Sequence, residues 1–317
     1  MIKYVVSGYI GFDNFGDEAI AKILTSYLKE KGEVTVISSN PEKTAKLYGV
    51  NTTGMLDFVK PILSSDVLVS GGGSLLQDVT SLKSLMYYLA VITTALVLGK
   101  KVIIFAQGFT PFRTKLGKFL TSFVLKHCHK VTVRDVGSQQ LLQEMGISSE
   151  LVSDPVFGIK IPTEIEHKGV GVQLRSFQGM TEDFIKNLAE KIAKTFPNQE
   201  IKLISLQDSY DVDILEKFAS FGLKTKLYSG MSADEVISEI MTLEYLIGMR
   251  FHSSLIAAKA GVKVLGIDYD VKVRKLAEEV GFPLIEIGQT NLVESFEELI
   301  KLDTKGYKIP EFNFPTF

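Results

Sequence analysis

Apolar and polar positions along this chain change period repeatedly, from short unbroken apolar runs to stripes that recur every three or four residues. Such alternation predicts parallel strands, each followed by a crossover helix. Tyr4–Ser7 reads as the first strand and GYIGFDNFGD as a loop. A helix follows with Ile20, Ile23, Leu24, Tyr27 and Leu28 on one face, at the i, i+3, i+4, i+7, i+8 spacing. Val34–Ser38 is the next strand, closed by a turn at Asn40-Pro41. Asp66–Ser70 runs into Gly71-Gly72-Gly73-Ser74, and Val102–Ala106 delivers Gln107 and Gly108 at its C-terminal end. A further helix carries Leu116, Phe119, Leu120, Phe123 and Val124 on one stripe. Strand Val131–Val133 then ends at Arg134-Asp135.

The pattern breaks between Ser153 and Lys168, where two prolines interrupt a stretch without helical period, and a domain linker is placed there. It restarts with strand Gly169–Leu174, helix Thr181–Thr195 and strand Ile201–Ser205. Ser232 and Glu235 form a capping box that opens another helix. Strand Tyr245–Gly248 leads into Met249-Arg250-Phe251-His252, and strand Val264–Ile267 ends on Asp268. The expected fold is α/β, with two Rossmann-like domains facing each other across a cleft, over residues 1–160 and 161–317. The aromatic, proline-containing tail YKIPEFNFPTF is expected to pack on a surface, with the first domain as the candidate.

Composition narrows the function classes. With 317 residues and a formal net charge of -2, nothing overall points to nucleic acid, so electrostatic arguments must be local. The single cysteine, Cys128, rules out an intramolecular disulfide and fits a reducing compartment. SLMYYLAVITTALVLG carries no charge but is shorter than the ~20 residues a spanning helix needs, and reads as a buried crossover helix. The first residues lack the architecture of a signal peptide, so a cytoplasmic protein is expected. Between Arg113 and Arg134 there are six Lys or Arg residues and no acid. A solvated basic face and a surface for anionic lipid or a lipid diphosphate are both open to that stretch, the latter placing the protein peripherally at the inner membrane face.

In open parallel sheets, ligands bind beyond the carboxyl ends of the strands. That rule selects the 8–17 loop, Gly71–Ser74, Gln107-Gly108 and Arg134-Asp135 in the first half. In the second half it selects Arg175, Gln207-Asp208, Arg250, His252 and the stretch 268–272. The 8–17 loop has neither dinucleotide nor P-loop spacing, and its glycine turn with Asp17 capping a helix is as good a reading as ligand contact. The triple glycine is expected to cradle an anion or sugar with free N–H groups before a helix. Arg250 and His252, two apart on a still-extended chain, would share a face. Together with Lys272 they suit an anion bearing both phosphate and carboxylate, with His252 as proton donor. His127-Cys128-His129 lacks a second ligand pair of metal-site spacing.

GYIGFDNFGDEAI, GGGSLLQD, the Q-G pair at 107–108, VRDVGSQQLL and MRFHSSLIAAKAGVKVLGIDYDVKV, in this order, resemble the polysaccharide pyruvyl transferases. The likeness is nearest to the subgroup acting on N-acetylmannosamine of secondary cell-wall polymers that anchor S-layer proteins. It departs at Phe251, where leucine is commoner, and at Ser253 and Ser254, where small apolar residues are usual. The resemblance implies a GT-B-like fold, phosphoenolpyruvate as co-substrate with no other cofactor, a lipid-linked saccharide as acceptor, and a 4,6-ketal as product. It places the family's catalytic histidine on His252 and its donor-binding residues on Arg250, Lys272 and Arg134. Gly71, Gly72, Gly73 and Ser74, with Asp13, Asn14 or Asp17, would then face the acceptor. The mechanism so implied needs no metal. Two rivals stand beside it: a GT-B glycosyltransferase using a nucleotide sugar, and a non-catalytic sugar-binding protein. The first would want a paired-carboxylate signature in the second half, and the second has no use for concentrated positive charge.

Overall fold

The computed structural model describes residues 1–79 and 81–316, and the chain divides into two compact units. Unit one is Met1–Ile159 with the tail from Glu311, and unit two is Lys160–Pro310. In unit one the order is β1 (Ile2–Ser7), α1 (Phe15–Lys29), β2 (Gly32–Ser38), α2 (Pro41–Tyr48), β3 (Asn51–Gly54), α3 (Val59–Ser64) and β4 (Val67–Ser70). It continues with α4 (Leu82–Val97), β5 (Lys101–Gln107), α5 (Lys115–Leu125), β6 (Lys130–Val133), α6 (Val136–Glu144) and β7 (Glu150–Leu151). The seven strands are all parallel, in the order β3-β2-β1-β4-β5-β6-β7. Chain direction along the sheet reverses between β1 and β4, so the loops that leave these two strands flank the switch point where such sheets bind ligands. Val5, Leu68 and Ile104 from the strands bury against Leu85, Leu89 and Ile92 of α4 and Leu125 of α5.

Unit two runs β8 (Val170–Gln173), α7 (Glu182–Thr195), β9 (Ile201–Ile204), α8 (Asp208–Ala219), β10 (Thr225–Tyr228) and α9 (Ala233–Met241). Then come β11 (Tyr245–Gly248), α10 (Phe251–Lys259), β12 (Lys263–Asp268), α11 (Val271–Val280), β13 (Leu284–Glu286) and α12 (Val293–Lys301). Its parallel order, β10-β9-β8-β11-β12-β13, repeats the same winding, with the switch point between β8 and β11. Val172, Ile247 and Leu265 pack there against Leu188, Ile192, Leu215 and Phe296. The capping box of Ser232 and Glu235 opens α9, each side chain answering the other's backbone N–H.

From Glu311 onward the tail belongs to unit one. Phe314 stacks on Tyr27 at 3.7 Å between ring centres and on Phe105 at 5.9 Å, and Phe312 meets Phe105 edge-on. Its final residue, Phe317, lies outside the described residues.

Four local expectations give way. Asn40-Pro41 is not a closing turn but a helix start: Asn40 caps α2 and Pro41 fills its first position, where a missing N–H costs nothing. The cap of α1 is Asn14, whose Oδ1 accepts from Gly16 and Asp17 N–H; Asp17 lies inside the first turn. α5 does not turn its whole stripe to the core: only Val124 and, in part, Leu120 pack there. Its buried side is Gly117, Thr121, Val124 and Leu125, while Leu116, Phe119 and Phe123 point outward. α4, read as a buried helix, buries one face only and leaves Leu82, Met86 and Val97 exposed.

Candidate functional site

In unit two the switch point is built around Arg250. Gly248 ends β11, and Arg250 adopts extended backbone as the residue preceding α10. Its own N–H donates to the Gln173 Oε1 at 2.7 Å, tying the ends of β8 and β11 together. Its guanidinium is turned inward onto Asp211, a carboxylate with no solvent exposure on the first turns of α8. Nη2 donates to Oδ1 at 2.6 Å, and Nε reaches Oδ2 at 3.1 Å. Asp211 also accepts from the backbone N–H groups of Leu206 and Gln207, at 2.9 and 3.0 Å, and from Gln173 Nε2 at 3.3 Å. A forked guanidinium held two ways by one carboxylate has its plane fixed before any ligand arrives.

A second arginine stands beside it. Arg175 follows β8, and its N–H donates to Met249 Sδ at 3.4 Å, so both arginines hang from neighbouring strand ends. Its guanidinium lies over the Tyr210 ring at 5.3 Å and over the Tyr269 ring at 5.9 Å. Arg175 Nε is buried and makes no hydrogen bond among the described residues. The Tyr269 phenol is pushed up by burial, and its hydrogen bond with Arg175 and the nearby charges of Arg175 and Arg250 oppose the rise. Phe177 closes against Tyr269 edge-on at 5.2 Å. His252 sits in the first turn of α10, half-buried, with its Nε2 shielded from solvent and its ring edge-on to Phe251. Lys272 is exposed in the first turn of α11, which Asp270 caps by accepting the Lys272 N–H at 2.8 Å.

In unit one the glycine turn after β4 is pinned by β5. Gln107 Oε1 accepts from Leu75 N–H at 3.1 Å, its Nε2 donates to the Gly71 carbonyl, and Gly108 N–H donates to the Gly73 carbonyl at 2.7 Å. Gly73 has φ +93°, and a side chain there would start 2.4 Å from Asp17 Oδ1. A bare backbone is therefore what lets the first turn of α1 approach. Arg134, after β6, pairs through Nη1 with buried Asp154 at 2.8 Å and donates through Nη2 to Ser74 Oγ at 3.3 Å. Asp13, at φ +56°, pairs with Lys43 at 2.6 Å on the exposed rim. Beneath the loop, buried Glu18 accepts from Gly11 N–H at 2.7 Å and from the Tyr48 hydroxyl. Burial holds the Glu18 carboxyl above its ordinary range, with those two hydrogen bonds opposing.

A sequence model of the polysaccharide pyruvyl transferases matches residues 14–271. That span covers most of the chain and takes in Arg134, Arg175, Arg250 and His252. The chain belongs to the polysaccharide pyruvyl transferase family. Its architecture is similar to several nucleotide-sugar enzymes of GT-B fold. The UDP-GlcNAc 2-epimerase of Methanocaldococcus jannaschii superposes with a TM-score of 0.67 at 14% identity, over 99% of this chain and 96% of that one. A UDP complex of S. aureus MnaA gives 0.65 at 12%, over 97% and 90%. Anabaena HepE with UDP and glucose gives 0.63 at 11%, over 96% and 91%. At such identities the likeness speaks for the fold: two Rossmann-like domains of the GT-B kind.

In this pyruvyl transferase, the residues named from sequence fall into two groups. Arg250, His252 and Lys272 lie at the carboxyl edge of the unit-two sheet, as strand-end positions should. Gly71–Ser74, Asp13, Asn14, Asp17 and Arg134 lie at the corresponding edge of unit one. Two arguments for them need correcting. Arg250 and His252 do not share an extended segment, because the helix already begins at Phe251. The glycine turn is not a helix N-terminus either: Gly71 N–H donates to the Ser7 carbonyl at 2.7 Å, and among the described residues the next helix begins only at Leu82. Sequence reasoning missed Asp211 altogether and placed Arg175 without a role. Asp211 sits in DSYDVDILEKF, where three acids in the opening turns look like ordinary helix-start charges. The available signal was the long-range one, a lone buried arginine after β11 that requires an anionic partner.

Proposed function

We propose that this pyruvyl transferase takes phosphoenolpyruvate as donor and forms a 4,6-ketal on a cell-envelope saccharide, N-acetylmannosamine of a lipid-linked precursor being the favoured acceptor. The observation that carries the reading is the pair of arginines at the unit-two switch point, Arg250 locked by Asp211 and Gln173 and Arg175 with an unspent buried Nε. Two fixed guanidinium groups on adjacent strand ends match a small donor bearing one phosphate and one carboxylate. Lys272 on the neighbouring α11 adds a further positive charge, and the first turn of α10 points its N–H dipoles toward the same edge. Arg134 is a candidate for substrate anion in unit one, held in place by Asp154.

The chemistry asks little else of the protein. His252, as imidazolium, protonates the methylene carbon of phosphoenolpyruvate, leaving positive charge on the central carbon. One sugar hydroxyl adds there and returns its proton to His252. The carbon–oxygen bond to phosphate then breaks, the second hydroxyl adds, and its proton leaves with hydrogen phosphate. General acid catalysis of this kind contributes about 10²–10⁴-fold. In unit one, Ser74, Asn14, Asp13 and Asp17 around the glycine turn are the groups assigned to the acceptor's hydroxyls.

Calorimetric titration with phosphoenolpyruvate tests the donor assignment. Arg175→Ala should weaken binding about 10–100-fold, the worth of one charge-assisted contact. Binding equal to wild type in that variant, or heat from a nucleotide sugar and none from phosphoenolpyruvate, would remove the basis for the reading.

A further inference from the structure

We propose that the outward face of α4 and α5 is a docking surface for an anionic lipid bilayer. The inference is independent of the donor chemistry, because it uses residues on the opposite side of these helices from the sheet. On α5 the outward residues Leu116, Phe119 and Phe123 are 55%, 67% and 58% exposed. Their i, i+3, i+7 spacing makes one continuous apolar stripe. α4 carries its own: Leu82, Met86, Ala90 and Val97 are exposed at i, i+4, i+8, i+15, with Val97 at 80%. The two helices are neighbours, since Leu85 Cδ2 lies 3.2 Å from where a side chain on Gly117 would begin, and their inner faces share one core. Scattered exposed apolar residues need no explanation, but aligned stripes on adjacent helices do.

Charge identifies the occupant. Lys115, Lys118 and Lys126 flank the α5 stripe and are exposed. From residue 79 to residue 134 the chain has nine Lys and Arg residues and no carboxylate, although the whole chain holds 37 acids against 35 bases. The acid that precedes this stretch, Asp78, is turned inward and spent on the N–H groups of Arg113 and Thr114, each at 2.8 Å. A second copy of this chain docked symmetrically on the same face would set lysine against lysine, with no acid on either helix to answer it. An anionic membrane answers both features: aromatic and aliphatic side chains enter the headgroup boundary, and lysines meet the negative surface.

Co-sedimentation of the full chain with vesicles tests this, using phosphatidylcholine alone and phosphatidylcholine mixed with phosphatidylglycerol. Wild type should pellet with the mixed vesicles, less at high salt, and barely with the neutral ones. At about fivefold per lysine, Lys115→Glu with Lys118→Glu should weaken binding at least ~25-fold. Phe119→Ser with Phe123→Ser should weaken it at least about tenfold while leaving salt sensitivity in place. All four side chains are exposed, so circular dichroism and melting should match wild type in both variants. The proposal is overturned by wild type ignoring anionic vesicles, by either variant binding as well as wild type, or by a solution dimer that the phenylalanine variant abolishes. The last result would make the face an interface between copies.

Discussion

Asp211→Ala is the substitution that most sharply tests how the donor-side arginine is held. The carboxylate has no solvent exposure and receives Arg250 Nη2 at 2.6 Å, Arg250 Nε at 3.1 Å and two backbone N–H groups near 3 Å. Alanine strips all of these donors of their acceptor at once. Deleting one member of a buried ion pair costs about 3–5 kcal/mol, because the remaining charge stays in a poorly solvated place. Each orphaned backbone N–H adds up to ~1–3 kcal/mol, and water entering the vacated volume recovers part of that. A loss of about 4 kcal/mol is the expected net, a large share of the ~5–15 kcal/mol that a domain has. At ~2–4 °C per kcal/mol for a unit of this size, the unit-two transition should fall by ~8–16 °C in differential scanning calorimetry. Replacing both partners, Asp211→Leu with Arg250→Met, should restore most of that stability, since apolar pairs substitute well for buried ion pairs. It should not restore phosphoenolpyruvate binding. A single Asp211→Ala variant that melts within ~2 °C of wild type would refute the claim that this pair fixes the site.

Three further outcomes follow from other parts of the molecule. His252→Ala should bind phosphoenolpyruvate within about threefold of wild type and lose ~10²–10⁴-fold in kcat, read by comparing calorimetry with phosphate release. Gly73→Ala puts a side chain at φ +93° against Asp17 and should cost about 1–3 kcal/mol more in urea unfolding than Gly99→Ala, which shares the positive φ (+68°) but meets nothing. Glu18 has a folded-state pKa raised chiefly by burial, so its contribution is fully present below the unfolded carboxylate pKa and is lost as pH rises through the folded value. Glu18→Gln should therefore gain stability relative to wild type between pH 4 and pH 7, measured by urea melts along the pH series. A difference that stays flat over that range would show that the carboxyl is not strained by its surroundings.

Much of the fold was legible because parallel α/β units write themselves into sequence twice, as an apolar run and as a helical stripe. β4 and β11 are buried along their whole length and β5 from Val102 onward, and the runs VLVS, VIIFA and YLIG show it. The less legible elements lie at the margins. β10 and β13 are edge strands of three or four residues with mixed exposure, so neither run stands out from its flanks. α5 misled for a physical reason: its outward stripe is as apolar as a core stripe. Gly117, small enough to sit under α4 and the Asp78 turn, joins Thr121, Val124 and Leu125 on the buried side. Periodicity gives the spacing of a face but does not say which way it points.

For the site, the strand-end rule located Arg250, His252 and the glycine turn from sequence alone, since position along a strand follows from the pattern. It gave no access to Asp211, whose partner is 39 residues away and meets it only after β8, β9 and β11 are laid side by side. Nor did it give the aromatic walls of Arg175, because Tyr210 in the first turn of α8 and Tyr269 in the loop after β12 are brought together only by the sheet order. Side-chain partners across strands are tertiary information, and a single sequence carries them only as the demand that a buried charge be answered.

The central claim is tested most directly by incubating the enzyme with carbon-labelled phosphoenolpyruvate and a saccharide acceptor ending in N-acetylmannosamine. The account predicts label in the saccharide as an acid-labile ketal, one inorganic phosphate released per label transferred, and loss of both in His252→Ala. Phosphoenolpyruvate left intact, while a nucleotide sugar donates its sugar to the same acceptor, would contradict it.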